Sequence, residues 1–174
     1  DTFKNLTILG IMIIILVFIV LAAQFESLTD PFIIMFSLPF AFTGVFIGLA
    51  VTGTPLGVMA MIGVIMLAGI VVKNGIVLID YTILNRERGL SITHAVIHAG
   101  KSRLRPVLMT TLTTVFGMIP MAVGTGEGSE MWRSMGMTVA WGLSVSTLIT
   151  LVIVPVVYCI FAKNGVLRKR RKLA

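Results

Sequence analysis

The sequence predicts an all-α fold, a polytopic membrane helix bundle of five transmembrane helices plus a short cytoplasmic surface helix. Two observations carry this reading. Hydrophobic residues fill 57% of the 174 positions and charged residues only 12%, against about 45–50% and about 25% in an ordinary soluble domain. The charges are also confined to a few stretches. No Asp, Glu, Lys or Arg occurs in the 21 residues between Lys4 and Glu26, the 42 between Asp30 and Lys73, the 21 between Arg105 and Glu127, or the 29 between Arg133 and Lys163. About 20 apolar residues at 1.5 Å each cross a hydrocarbon core about 30 Å thick. Three runs are therefore single spans, and the 42-residue run is two spans divided at Thr52-Gly53-Thr54-Pro55.

The expected spans are about 5–25, 32–52, 56–84, 105–125 and 132–162, forming a membrane domain over 1–162 with a basic tail at 163–174. The third and fifth exceed the membrane thickness and must tilt, kink or emerge from it. Pro31, Pro55 and Pro106 fall at or just before first turns, where the missing N–H costs little. Pro39, Pro120 and Pro155 fall inside spans, where neighbouring helices can satisfy the freed carbonyls. In the connection 85–104, Ser91 can cap a surface helix with Ile92, Ala95, Val96 and Ala99 on one face and Gly100 as its stop.

Orientation follows from the basic residues. Arg86, Arg88, Lys101, Arg103 and Arg105 in the third connection, and Lys163, Arg168, Lys169, Arg170, Arg171 and Lys172 in the tail, make 11 of the 14 Lys and Arg. Five spans put these two segments on one side. That side is expected to be cytoplasmic, with the N-terminus outside the cell membrane and the C-terminus within. The net charge of +7 belongs to these flanks, so nucleic acid is not an expected partner; the lipid bilayer is. Cys159 is the single cysteine, which leaves no disulfide within the chain. The first apolar run is too long for a typical signal core, and a start at Asp1 suggests that upstream sequence has been removed.

Lys73 is the most informative residue. It stands in Val71-Val72-Lys73-Asn74-Gly75-Ile76-Val77-Leu78-Ile79-Asp80, with apolar helix on both sides. A lysine at mid-span costs roughly 2.5–3.5 kcal/mol on insertion scales. It must face a bundle interior, pair with an anion or lose its proton; the alternative is that its long stem snorkels to an interface. Asp80 lies seven residues on, about 10.5 Å along the same face, too far for a direct pair. The partner of Lys73 is therefore expected on helices outside these 174 residues.

Thr110-Thr111-Leu112-Thr113-Thr114 opens the fourth span. Its hydroxyls can bridge helices or hold water, or each can bond the carbonyl four residues back. Arg103 and Arg105 stand at the mouth of that span, as membrane anchors or as groups for proton entry or exit. Gly44 and Gly48 form a GxxxG pair, and Gly69 lies in the third span; small residues let helices approach closely in lipid. The 11 methionines read as pliable packing. His94 and His98 are four apart but lack further ligands, and no metal site is expected. No nucleophile–base pair or phosphate loop occurs, so the chain is not expected to be an enzyme.

Four stretches resemble the resistance-nodulation-division (RND) transporters, closest to the hydrophobe/amphiphile efflux branch. They are Leu21-Ala22-Ala23-Gln24-Phe25-Glu26-Ser27 with Asp30-Pro31-Phe32, Gly69 to Tyr81, Arg103-Leu104-Arg105-Pro106-Val107-Leu108-Met109-Thr110-Thr111, and Gly124-Thr125-Gly126-Glu127-Gly128-Ser129-Glu130. They occur in family order across nearly the whole chain. The resemblance implies the C-terminal transmembrane half of a proton-driven multidrug or amphiphile efflux pump, energised by the proton-motive force with no cofactor, in a prokaryotic inner membrane. It implies that Lys73, Thr110 and Arg103 form one side of a proton relay facing an acidic pair in the missing N-terminal half, with Asp80 where relatives also carry a carboxylate. It also implies a homotrimeric full-length pump, with a periplasmic adaptor and an outer-membrane channel as possible partners. The seven preceding spans, two extracytoplasmic domains and the acidic pair lie outside this sequence. The alternative is a non-transporting membrane fragment or assembly module.

Overall fold

The computed structural model describes the backbone of residues 2–171 and the side chains of residues 2–163. Six helices follow one another: α1 (Thr2–Phe25), α2 (Thr29–Met35), α3 (Leu38–Thr52), α4 (Val58–Glu87), α5 (Ile92–Val123) and α6 (Ser129–Arg171). No strand forms among the described residues. With α2 and α3 taken together, five segments are long and apolar enough to cross a membrane. The all-α, five-span reading holds.

The spans alternate in direction. The end of α1 (Phe25), the start of α2 (Asp30) and the ends of α4 (Ile83, Arg86) and α6 (Tyr158, Phe161) line one cavity of about 440 Å³. At the opposite end, the start of α1 (Leu6, Thr7), α3 (Phe42, Phe46) and the start of α4 (Met61) line an apolar cleft. There Ser134, near the start of α6, donates a 3.1 Å hydrogen bond to the Pro55 carbonyl. The first and last spans thus begin together at one end and finish together at the other. The basic residues at the α4–α5 connection lie at the same end as Tyr158 of α6.

The turns follow local chemistry. Gly53 ends α3 in the left-handed region (φ 62°) and Gly89 follows α4 at φ 89°, conformations that cost glycine nothing. The second span breaks at Phe36-Ser37. Pro39, expected inside the span, instead falls in the first turn of α3, where its missing N–H costs little; at the break the Ser37 hydroxyl donates to the Ile34 carbonyl at 2.6 Å.

The reading of α5 is corrected as well. Gly100 does not stop a separate surface helix; α5 runs without interruption from Ile92 to Val123, with Pro106 inside it rather than at its first turn. A glycine stop needs a left-handed backbone, and Gly100 is not among the positive-φ glycines. The proline removes one backbone donor, which a long helix tolerates in lipid. The expected inner face survives: Ala95, Val96 and Ala99 are buried against the end of α4. α5 at 32 residues is about 48 Å long, so its first turns stand outside a core about 30 Å thick.

α6 is the central post, on which α3, α4 and α5 each pack extensively. Glycines make these crossings possible. A methyl on Gly44 would come within 2.7 Å of Val145, and one on Gly48 would collide with Trp141. Conversely, a methyl on Gly142 of α6 would collide with Leu67 of α4 and meet Val45 of α3 at 2.8 Å. Gly69 differs: a methyl there meets nothing within 4 Å among the described residues, so no contact within them requires a glycine at that position. α1 lies apart, burying only Leu21, and exposes Ile8, Met12, Leu16 and Ile19 as a lipid-facing helix does.

Gly48→Ala and Gly69→Ala therefore separate packing from helix propensity, since both gain the same intrinsic helicity. Gly48→Ala should lower stability by about 1–3 kcal/mol through overpacking, read as a lower thermal midpoint in detergent, while Gly69→Ala should hold or raise it. Equal midpoints for the two variants would contradict the α3–α6 crossing described here.

Candidate functional site

The candidate site is built on one stripe of α4. Ile62, Met66, Gly69, Lys73 and Asp80 are exposed, while Val71, Val72, Asn74 and Gly75 around them are buried. Steps of three, four and seven residues keep the exposed set on one helix face. The helix is unbroken from Val58 to Glu87, so Lys73 and Asp80 stand about 10.5 Å apart along the axis. They share a face and do not pair. Beside Lys73, a cleft of about 250 Å³ between α1 and α4 is lined by Leu16, Val20, Gln24, Gly69 and Ile76 among others. Gln24 is its one other long polar side chain.

The threonines divide by function. Thr110, Thr113 and Thr114 bond the carbonyls of Pro106 (3.0 Å), Met109 (2.8 Å) and Thr110 (2.9 Å), four residues back on their own helix. Thr111 instead faces inward. Its hydroxyl meets that of Thr147 on α6 at 3.1 Å, and both residues are buried. Thr110 remains exposed on α5.

Arg103 sits in a cluster joining α4 to the start of α5. Its Cζ lies 4.5 Å from the centroid of the Tyr81 ring, inside the cation–π range of about 6 Å. The Tyr81 ring stacks with the His98 imidazole, centroids 6.2 Å apart and planes 18° apart. His98 Nδ1 accepts from Asn85 Nδ2 at 3.4 Å, and the same amide donates to the Ala95 carbonyl at 3.4 Å. At the same end, Arg86 donates to the Tyr158 hydroxyl at 3.0 Å, fastening α4 to α6. Arg88, Lys101 and Arg105 are exposed there. Lys169 and Arg170 fall in the last turns of α6, and their side chains lie outside the described residues, as do the structures of residues 172–174.

A model of the AcrB/AcrD/AcrF family matches residues 1–162. The chain belongs to this family of RND transporters. It is 46% identical over 164 residues to the swarming motility protein SwrC of Bacillus subtilis (strain 168), covering 94% of this chain and 16% of that protein. It is 39% identical over 162 residues to the multidrug resistance protein MdtC of Proteus mirabilis (strain HI4320), covering 92% and 16%. Among solved structures, a heavy metal efflux pump superposes with a TM-score of 0.81 at 32% identity, over 90% of this chain and 16% of the pump. The chain thus spans about a sixth of the length of these relatives.

Within the RND frame, the residues singled out by sequence do not form one cluster in this chain. Lys73, Asp80 and Thr110 lie on exposed faces, and Arg103 is half-buried beside Tyr81. Sequence reasoning missed Thr147, Tyr81 as a platform, Gln24 beside Lys73, and Gly142. The pattern Thr138, Gly142, Ser146, small residues every fourth position on α6, was the available signal for the last.

The Thr111–Thr147 bond yields a test. In a double-mutant cycle with Thr111→Val and Thr147→Val, the coupling should be about 0.6 kcal/mol and no more than about 1.7, the span of such bonds in membrane bundles. Thr110→Val paired with Thr147→Val should show none. Unfolding in mixed micelles provides the measurement, and a null cycle for the first pair would remove the cross-helix bond.

Proposed function

We propose that this chain is the C-terminal membrane part of a proton-driven multidrug or amphiphile efflux pump, and that it supplies the lysine, threonine and arginine side of the proton relay. The observation that carries the reading is the placement of Lys73. It stands in the middle of an apolar 30-residue helix and is exposed, while its neighbours on both sides are buried. A cation at that depth is costly in lipid, so its face belongs against protein. The helices of the rest of the transporter are the protein that covers it.

In this reading Lys73 pairs with a carboxylate from the N-terminal half while that carboxylate is ionised. Protonation of the carboxylate releases the ammonium, and the helices shift to a second arrangement whose population the proton controls. Thr110 and Asp80 lie on exposed faces of α5 and α4 and extend the polar path, and Arg103 stands at its basic end. The cluster of basic residues favours that end as cytoplasmic, which puts the N-terminus of α1 on the outer side of the inner membrane. The full-length pump works as a homotrimer, with a periplasmic adaptor and an outer-membrane channel as partners. The name of MdtC supports a drug-exporting branch, as does the Lys73-Asn74-Gly75 stretch.

Lys73→Met in the complete transporter that contains this chain should abolish drug export, with trimer assembly intact by gel filtration. Lys73→Arg keeps the charge but replaces a compact ammonium with a planar fork that grips a carboxylate through two bonds, and should export at less than about a tenth of the wild-type rate. Export at the wild-type rate by Lys73→Met would remove the relay assignment and leave the chain as a non-transporting or assembly module.

A further inference from the structure

Arg103 is held in an unusual way for an arginine at a membrane boundary. Its guanidinium lies over the Tyr81 ring at 4.5 Å, and its Nε is buried with no hydrogen-bond partner among the described residues. A guanidinium over an aromatic face is held there by its charge, and that contact takes up none of the N–H groups that grip carboxylates. The platform is itself braced. Tyr81 stacks with His98, and His98 is tied through Nδ1 to Asn85, which is almost fully buried and also bonds the Ala95 carbonyl. Two members of the chain, Tyr81 and Asn85, come from α4, and two, His98 and Arg103, come from α5. Tyr81 directly follows Asp80 in α4.

We propose that Tyr81 and His98 are positioning residues of the proton path: they hold Arg103 over the Tyr81 ring at the basic end of the Lys73–Asp80 stripe, and leave its terminal N–H edge for the acceptor that takes part in proton transfer. This rests on the proton-relay reading above. Without the platform, the flexible arginine stem turns toward water or toward a carboxylate such as Asp80, and the edge is consumed. Because the brace spans α4 and α5, the position of Arg103 also depends on how these two helices are seated on one another.

The test uses the complete transporter in liposomes with an imposed pH gradient and an amphiphilic cationic dye as substrate. Initial export rate is measured against pH and dye concentration for Arg103→Ala, Tyr81→Leu, Tyr81→Phe, His98→Ala and the double variant Arg103→Ala/Tyr81→Leu. Tyr81→Leu should lower the maximal rate by about 2–30-fold, the range that a cation–π contact spans. It should shift the pH profile in the same direction as Arg103→Ala and leave the dye KM in place. Tyr81→Phe keeps the ring and should rescue both rate and profile. The double variant should be no worse than Arg103→Ala alone. A wild-type pH profile for Tyr81→Leu beside a defective Arg103→Ala would overturn the positioning role and leave the relay standing. If Arg103→Ala and Lys73→Met both export normally, the relay reading falls and the proposal with it. Should Tyr81→Leu not accumulate in the membrane, His98→Ala at an exposed position decides: a partial loss with a shifted profile supports the brace, and an unshifted profile overturns it.

Discussion

The bundle depends on how closely α3 and α4 can approach α6. Lipid offers no hydrophobic drive to bring one apolar helix against another, so association rests on contact and on small residues that permit it. Gly44 and Gly48 of α3 meet Val145 and Trp141, and Gly142 of α6 receives Leu67 and Val45. The large side chain sits on one helix at one level and on its partner at the next, so that each crossing interlocks. These contacts fix the rotation of α4, and that rotation decides which residues face outward. Lys73 is presented to the outside of this five-span unit because Leu67, Val71 and Leu78 are turned inward.

Polar groups are distributed in the same spirit. Backbone groups are satisfied within helices, as the hydrocarbon demands, and most hydroxyls return to the helix that bears them. Thr43, Thr82, Thr138 and Ser144 all bond the carbonyl four residues back. Bonds that leave their own helix are few and specific: Thr111 with Thr147 in the interior, Arg86 with Tyr158 and Asn85 with Ala95 and His98 at the basic end, and Ser134 with Pro55 at the other. Apolar packing therefore sets the overall arrangement, and polar contacts register the two rims.

Much of the architecture was legible in the sequence because the membrane imposes a strong, one-dimensional signal. Charge-free runs of span length located all five crossings, and Thr52-Gly53-Thr54-Pro55 marked the turn that the left-handed Gly53 makes. What the sequence did not disclose depended on rotation and on partners distant in the chain. Thr110 and Thr111 are adjacent, yet one bonds its own helix and the other crosses to α6. A step of one residue turns a helix by about 100°, and only the packed neighbour decides which side is inside. The Tyr81–His98–Arg103 cluster joins residues up to 22 positions apart through the geometry of the Gly89 turn, which no spacing rule contains. Gly100 misled for a related reason: a glycine permits a left-handed stop but does not require one.

The continuity of α5 has a mechanical meaning. A single rod of about 48 Å that begins beside Tyr81 and Asn85 and ends where Ala122 lies close against Gly136 of α6 couples the two faces of the membrane as a lever. A tilt of about 5° about its middle carries each end roughly 2 Å in opposite directions. That displacement is comparable to the helix shifts by which proteins switch state. A helix that stopped at Gly100 would have absorbed such a motion in its joint; the unbroken one delivers it to the far side.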